Sequence, residues 1–141
     1  MEIVDFSLKG KVALITGGSR GIGRAIALAF AEAGAKVAIS ARKLPDLEAV
    51  AKEINTKGQE CLPIVAHVAK TDESKALVDK IKEHFGRIDI LVNNAGTNPY
   101  NGPLIDAEEW AWDITMNVNL KGPFMLSLMV AKLMREQGGG N

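Results

Sequence analysis

The chain has 141 residues, 47% of them hydrophobic and 24% charged, with 17 basic residues balancing 17 acidic ones. That length suits one folded unit with a sizeable core, read here as a single domain over residues 1–141. Zero formal charge without any basic run leaves no electrostatic footprint for nucleic acid or an anionic membrane. No apolar stretch approaches the ~20 residues of a membrane span, and the opening MEIVDFSLKGK lacks the basic and apolar regions of a signal peptide. The single cysteine, Cys61, cannot form an internal disulfide and reads as a small core residue in a reducing compartment, by default the cytoplasm. No metal site is expected.

In chain order, Val12, Ala13, Leu14 and Ile15 form a short buried-type strand, and Gly17, Gly18, Gly21 and Gly23 follow it directly. Arg24–Phe30 then has helical character. A strand, a glycine turn and a helix start make an anion site, because unpaired N–H groups point at the ligand and glycines let backbone come close. Lys36–Ala41 is a second strand, entered through Gly34. Residues 45–57 are helical, with Leu47, Val50, Ala51 and Ile54 on one face and Gly58 at the end. Cys61–Val68 reads as a third strand, and Thr71 as the N-cap of a helix carrying Asp72 and Glu73 in its first turn. Leu77, Val78, Ile81 and Phe85 form that helix's inner face and Gly86 closes it; Ile88–Asn93 is a fourth strand. From Asp106, with Glu109 three residues on, a helical stretch runs to about Gln137. Its apolar run from Phe124 to Met134 leaves little polar face, so it needs cover on more than one side.

This alternation predicts an α/β fold, a doubly wound parallel sheet with right-handed crossovers and helices on both faces. Ligands of such sheets bind beyond the carboxyl ends of the strands, where the glycine turn, Ala41–Lys43 and Asn93–Gly96 all fall. The end of the second strand selects the dinucleotide. An Asp or Glu there binds the ribose hydroxyls of NAD, whereas this chain has Ala41, Arg42 and Lys43, with Arg20 inside the glycine turn. Guanidinium binds a 2′-phosphate that carboxylate would repel, so NADP(H) is favoured over NAD(H).

TGGSRGIG at 16–23, NNAG at 93–96 and NVNLKG at 117–122 stand in an order and at intervals that resemble the short-chain dehydrogenase/reductase family over essentially the whole chain. The resemblance implies a Rossmann-type domain in which the turn holding Gly17, Ser19, Arg20, Gly21, Ile22 and Gly23 binds pyrophosphate. It implies that Asn94, Ala95 and Gly96 line the adenosine-to-ribose region, that Thr16 bonds toward that strand end, and that Arg20 and Arg42 mark an NADP-preferring member. One departure stands out: where the family commonly has Asp before Val at the end of strand three, in contact with adenine, this chain has His67 and Val68. The resemblance makes Asn119 the active-site asparagine, whose carbonyl positions a water in a proton relay. Pro123 supports this independently, because it has no amide proton to give that carbonyl; a helix kink is expected there.

The family's reaction is hydride transfer between the nicotinamide and a carbonyl or secondary-alcohol carbon of a small substrate, such as a 3-oxoacyl thioester, a sugar or another ketone. It uses a serine and a Tyr-x-x-x-Lys pair, the lysine bringing the tyrosine toward neutral pH. The one tyrosine here, Tyr100, is followed four residues later by Leu104 and lies in the loop after NNAG. The chain therefore reads as the cofactor-binding part of a longer enzyme, truncated after the helix that follows strand four, and on its own inactive. It should expose that strand's edge, and the full-length form is expected as a homodimer or homotetramer. The alternative is a non-catalytic NADP(H) sensor or scaffold. A methyltransferase shares the fold but wants an acid at the end of strand two.

Overall fold

The computed structural model describes residues 5–141; the first four residues of the N-terminal segment considered above for a signal peptide lie outside it. Four strands, β1 (Val12–Thr16), β2 (Lys36–Ala41), β3 (Cys61–Val65) and β4 (Ile90–Val92), form one sheet in the order β3-β2-β1-β4. Every pairing is parallel, with Thr16 opposite Ser40 and Ala41 opposite Val65. Helices α1 (Gly21–Glu32), α2 (Leu44–Thr56) and α3 (Thr71–Phe85) connect successive strands. After β4 come α4 (Glu109–Met116), a wider π-helical segment over Asn117–Lys121, and α5 (Gly122–Gln137).

Strand alternation sorts the core into two layers. Ala13, Ile15, Val37 and Ile39 pack under α1 and α2, against Ala27, Ala31, Leu47, Val50 and Ile54. Val12, Leu14, Ala38 and Ile64 face the other way, under Leu77, Val78 and Ile81 of α3 and Leu126, Val130 and Leu133 of α5. Both faces of β1 are therefore dry, as a parallel sheet requires. Asp89 ties β4 to β1: its carboxylate accepts from the Val12 amide at 2.9 Å and from Arg87 at 2.6–3.0 Å. Burial opposes its ionisation, but the guanidinium and the amide outweigh that and hold the carboxyl below the ordinary Asp range.

Several boundaries differ from the sequence reading. The third strand ends at Val65 and its ladder at Ala66, because the next amides turn to side chains. The fourth strand is confined to Ile90–Val92. Lys70, not Thr71, occupies the N-cap of α3. Asp106 does not cap a helix: residues Leu104–Asp106 make a single 3-10 turn, and α4 starts at Glu109. The edge of β4 is not wholly bare, since Asn141 donates to the Asp89 carbonyl and accepts from the Leu91 amide, each at 2.8 Å. At the opposite edge, Asn55 takes the Cys61 amide at 2.9 Å and Pro63 has no N–H, so β3 presents few donors to another strand. Burial pushes the Cys61 thiol up to about 12, as suits a core residue.

Candidate functional site

The glycine turn and the start of α1 sit at the carboxyl end of β1, between β2 and β4. Its glycines have different causes. A Cβ on Gly23 would lie 2.2 Å from the Gly17 carbonyl oxygen and 2.4 Å from the Asn94 amide nitrogen. On Gly17 it would meet Asn94 at 2.8 Å, and on Gly18 it would meet Ile39 at 2.8 Å. The protein's own packing of turn on sheet demands these three glycines, a reason the sequence reading did not give. Gly21 alone of the four borders open space, and its φ of +55° favours glycine. The first turn of α1 has neither a side-chain cap nor an acidic residue, so its amides remain free for an anion. Ser19 is half-buried, while Arg20, the N-cap residue, and Ile22 are exposed at its rim.

Thr16 and Asn94 lock this turn to the end of β4. The Thr16 hydroxyl oxygen accepts from the Asn94 and Ala95 amides at 3.1 and 3.0 Å. The Asn94 side chain donates to the carbonyls of Thr16 and Gly17 at 2.9 and 3.2 Å. Asn93 reaches the other way, to the Ser127 hydroxyl on α5 at 2.9 Å. Ala95 and Gly96 follow, and the Asn119 carboxamide oxygen would lie 3.6 Å from a Cβ at Gly96. That carboxamide grips Thr97 twice, accepting from its amide and donating to its carbonyl, each at 2.8 Å. The Asn119 side chain is thus engaged with the loop, and Pro123 has no amide to give its backbone carbonyl.

The kink expected at Pro123 takes the form of the π-helical segment, where the Gly122 amide reaches back five residues to the Asn117 carbonyl. Gly122 is glycine because a Cβ there would lie 2.7 Å from the Val68 carbonyl oxygen. The start of α5 therefore buttresses the turn after β3. In that turn the His67 amide donates to Glu73 at 2.7 Å and the His67 ring Nδ1 accepts from the Ala69 amide at 3.2 Å. Lys70 pairs with Glu73 at 2.8 Å and, with the His67 amide, keeps that carboxyl below its usual range.

Arg42 and Lys43 are both exposed at the end of β2. Among the described residues neither they nor Arg20 enter an ion pair, whereas Arg24, one turn into α1, is engaged by Glu53 at 2.5 Å. Tyr100 folds back within its own loop, its hydroxyl donating to the Pro103 carbonyl at 3.0 Å. Sequence reasoning missed the Asn119–Thr97 clamp and the Asp89 tie. The motif gave each residue but not its partner.

With this geometry in hand, comparison with known proteins decides the family. The profile described as short chain dehydrogenase matches residues 11–141. The chain belongs to that family. An uncharacterized oxidoreductase of Thermotoga maritima is 46% identical over 134 residues, covering 95% of this chain and 52% of the relative. A Staphylococcus epidermidis protein named as a 3-oxoacyl-acyl-carrier-protein reductase is 44% identical over 131 residues, 92% of this chain and 53% of its own length. Among solved structures, a metagenomic short-chain oxidoreductase in complex with NADP superposes with a TM-score of 0.89 at 38% identity, over 94% of this chain and 60% of that one. The chain spans about half the length of the curated relatives it matches. The doubly wound parallel sheet expected from sequence is that of the family.

Proposed function

We propose that the chain is the NADP(H)-holding domain of an oxidoreductase that moves a hydride between the nicotinamide and a carbonyl or secondary-alcohol carbon of a small molecule. Membership of the family supports hydride transfer, and it does not choose between the two nicotinamide dinucleotides. The observation that carries the choice is the pair Arg20 and Arg42. Both are exposed, neither is engaged by a carboxylate among the described residues, and no acid stands at the end of β2. A 2′-phosphate is the ligand group such a pair fits.

The residues fit the cofactor: a turn conformation reserved for glycine at Gly21, open space beside it, and free amides at the start of α1. Gly17, Ser19, Gly21, Ile22 and Gly23 would hold the pyrophosphate, Arg20 and Arg42 the 2′-phosphate, Asn94, Ala95 and Gly96 the ribose side, and His67 and Val68 the base. When bound, the nicotinamide supplies or accepts the hydride. The chain's own part in the chemistry is the Asn119 carbonyl, which would hold a water on the proton path while the side chain fixes the loop from Thr97. The serine and Tyr-x-x-x-Lys pair that the resemblance implies have no counterpart within these 141 residues, so the isolated chain is expected to bind cofactor without reducing ketones. The Staphylococcus relative makes a 3-oxoacyl thioester the first substrate class to try. We place the protein in the cytoplasm as a homodimer or homotetramer when full-length.

Calorimetric titration of NADPH and NADH tests the reading. NADPH should bind more tightly by about tenfold or more, as expected for a charge-assisted contact made by only one ligand. Arg42→Asp should erase or reverse that preference. Equal affinities in the unaltered chain would overturn the cofactor assignment.

A further inference from the structure

Asn101 and Gly102 lie in the loop between β4 and α4, and both are exposed. The Tyr100 hydroxyl, donating to the Pro103 carbonyl at 3.0 Å, closes the span across them. Gly102 is glycine for a reason of space: a Cβ there would lie 2.6 Å from that hydroxyl oxygen. Among the described residues nothing accepts from the Gly102 amide, and the Asn101 carboxamide has no hydrogen-bond partner. A free carboxamide therefore precedes a free main-chain nitrogen, in a segment that neither helix nor strand holds. The other asparagines that precede a residue of this chain lack one part or the other. The side chains of Asn55, Asn93, Asn94 and Asn119 are all held in hydrogen bonds. Asn98 precedes Pro99, which has no N–H, and Asn117 lies in the π-helical segment before the β-branched Val118.

We propose that the Asn101–Gly102 pair is a site of spontaneous covalent modification, passing through a cyclic imide to aspartate and isoaspartate. The Gly102 nitrogen attacks Cγ of Asn101. The N–Cγ bond forms as the Cγ–Nδ2 bond breaks, and ammonia leaves with the proton that the Gly102 amide carried. Water then opens the ring. Addition at Cγ gives an ordinary aspartate. Addition at the main-chain carbonyl of the same residue gives isoaspartate, in which the chain runs through the former side chain and is one atom longer. The residue after the asparagine governs how readily the ring closes. Glycine has no side chain to crowd the attacking nitrogen, and its backbone swings most freely toward Cγ. Either product places a carboxylate in a stretch, residues 97–105, that has no charged side chain. The isoaspartate also lengthens the span that Tyr100 and Pro103 close.

The test is to hold the chain in warm neutral buffer and follow it by peptide mass mapping, with fragmentation that tells isoaspartate from aspartate. Conversion at position 101 should outrun that at every other asparagine by about tenfold or more, as expected where crowding and backbone restraint are both lifted from one ring closure. Asn101→Gln should remove it, since the carboxamide then lies one carbon further from the nitrogen. A synthetic peptide of residues 97–105 separates the fold's contribution from that of the local sequence. Because the loop leaves both reacting groups free, the folded chain should convert within about tenfold of the peptide. A chain slower than the peptide by more than that would show the loop to shield the amide or the carboxamide, which overturns the inference. Faster conversion at any other asparagine overturns it as well, and neither result bears on the cofactor reading.

Discussion

Two regions at the carboxyl end of the sheet are built in opposite ways. Where β1 meets β4, Thr16, Gly17, Gly23 and Asn94 satisfy one another's polar groups so closely that a single added methyl group has no room. From Asn101 to Ile114 only Ala111 is buried, while Leu104, Ile105 and Trp112 are 88, 93 and 64% exposed. That second region is held by few side-chain bonds, chiefly the Asn119 clamp on Thr97 and the Tyr100 hydroxyl on Pro103. The difference teaches where binding geometry is fixed in advance. A site that must hold one phosphate arrangement is locked by its own second layer of bonds, whereas an exposed apolar stretch is suited to packing against something else.

The most severe break of the locked region should come from Gly23→Ala. Its methyl group would sit 2.2 Å from a carbonyl oxygen of the adjoining turn, not against a flexible side-chain tip. Either α1 moves off the sheet or the glycine turn opens. A loss of about 3 kcal/mol or more is expected, in line with forced overpacking, together with loss of NADPH binding. Urea denaturation and titration measure the two; a variant within error of the parent would show the turn to be far softer than its contacts imply.

Next in size is the tie at the far end of the same two strands. Asp89→Ala leaves the Val12 amide buried without an acceptor and Arg87 without its partner. The cost should be about 2–3 kcal/mol, below a fully buried pair because Arg87 is half exposed. The pH dependence follows from the depressed carboxyl. Its stabilisation is complete above the unfolded Asp value of about 3.9 and is lost as pH falls through the lower folded value. The stability gap between the parent and Asp89→Asn should therefore be widest near neutrality and close as the carboxyl protonates. A gap that stays constant into acid would remove the ionised Asp89 from the account.

Thr16→Val is the subtler probe of the lock. It keeps the shape and removes the acceptor of two amides, for about 2 kcal/mol, while Thr16→Ser should cost little of that. NADPH affinity should weaken with Val and survive with Ser, since the Asn94–Gly96 turn loses its register only in the first. Equal melting temperatures for the two variants would mean that the Asn94 carboxamide bonds hold the junction unaided.

Legibility in the sequence follows the same division. The second strand is read with its true bounds because Gly34 and Arg42 flank a short, mostly apolar run, and the alternation of strands with helices fixes the sheet class. The third strand is overextended because Ala66, His67 and Val68 continue an apolar pattern, while what ends the ladder is the Glu73 carboxylate, seven residues past Ala66, taking the His67 amide. Asp106 and Glu109 match a capping pattern, yet the amide of Asp106 is spent on Pro103 in a tight turn. Pro123 announces a break in the helix. That the break is a π segment, and that Gly122 lies against Val68 there, no local pattern encodes. The glycine turn was legible as a unit, but the separate reasons for its glycines needed the neighbouring strand ends.

The smallest expected effect on stability belongs to the exposed region, and it sharpens the comparison from the other side. Trp112 and Phe124 are each 64% exposed, and Leu120 and Leu128 beside them on the same helical run are 64 and 41% exposed. An exposed indole or phenyl ring contributes little to folding, so Trp112→Glu and Phe124→Glu should each change the free energy of unfolding by no more than about 0.5 kcal/mol. Both should instead reduce self-association, since apolar area that water must wet is what drives such contacts and a carboxylate placed there opposes them. Sedimentation of the parent and the double variant over a range of concentrations reads this directly. If the double variant unfolds much more easily than the parent, this surface is part of the chain's own core and the contrast with the locked junction disappears. If stability holds while association drops, the two regions divide the work: one closed on itself to hold a cofactor, the other left open for contact.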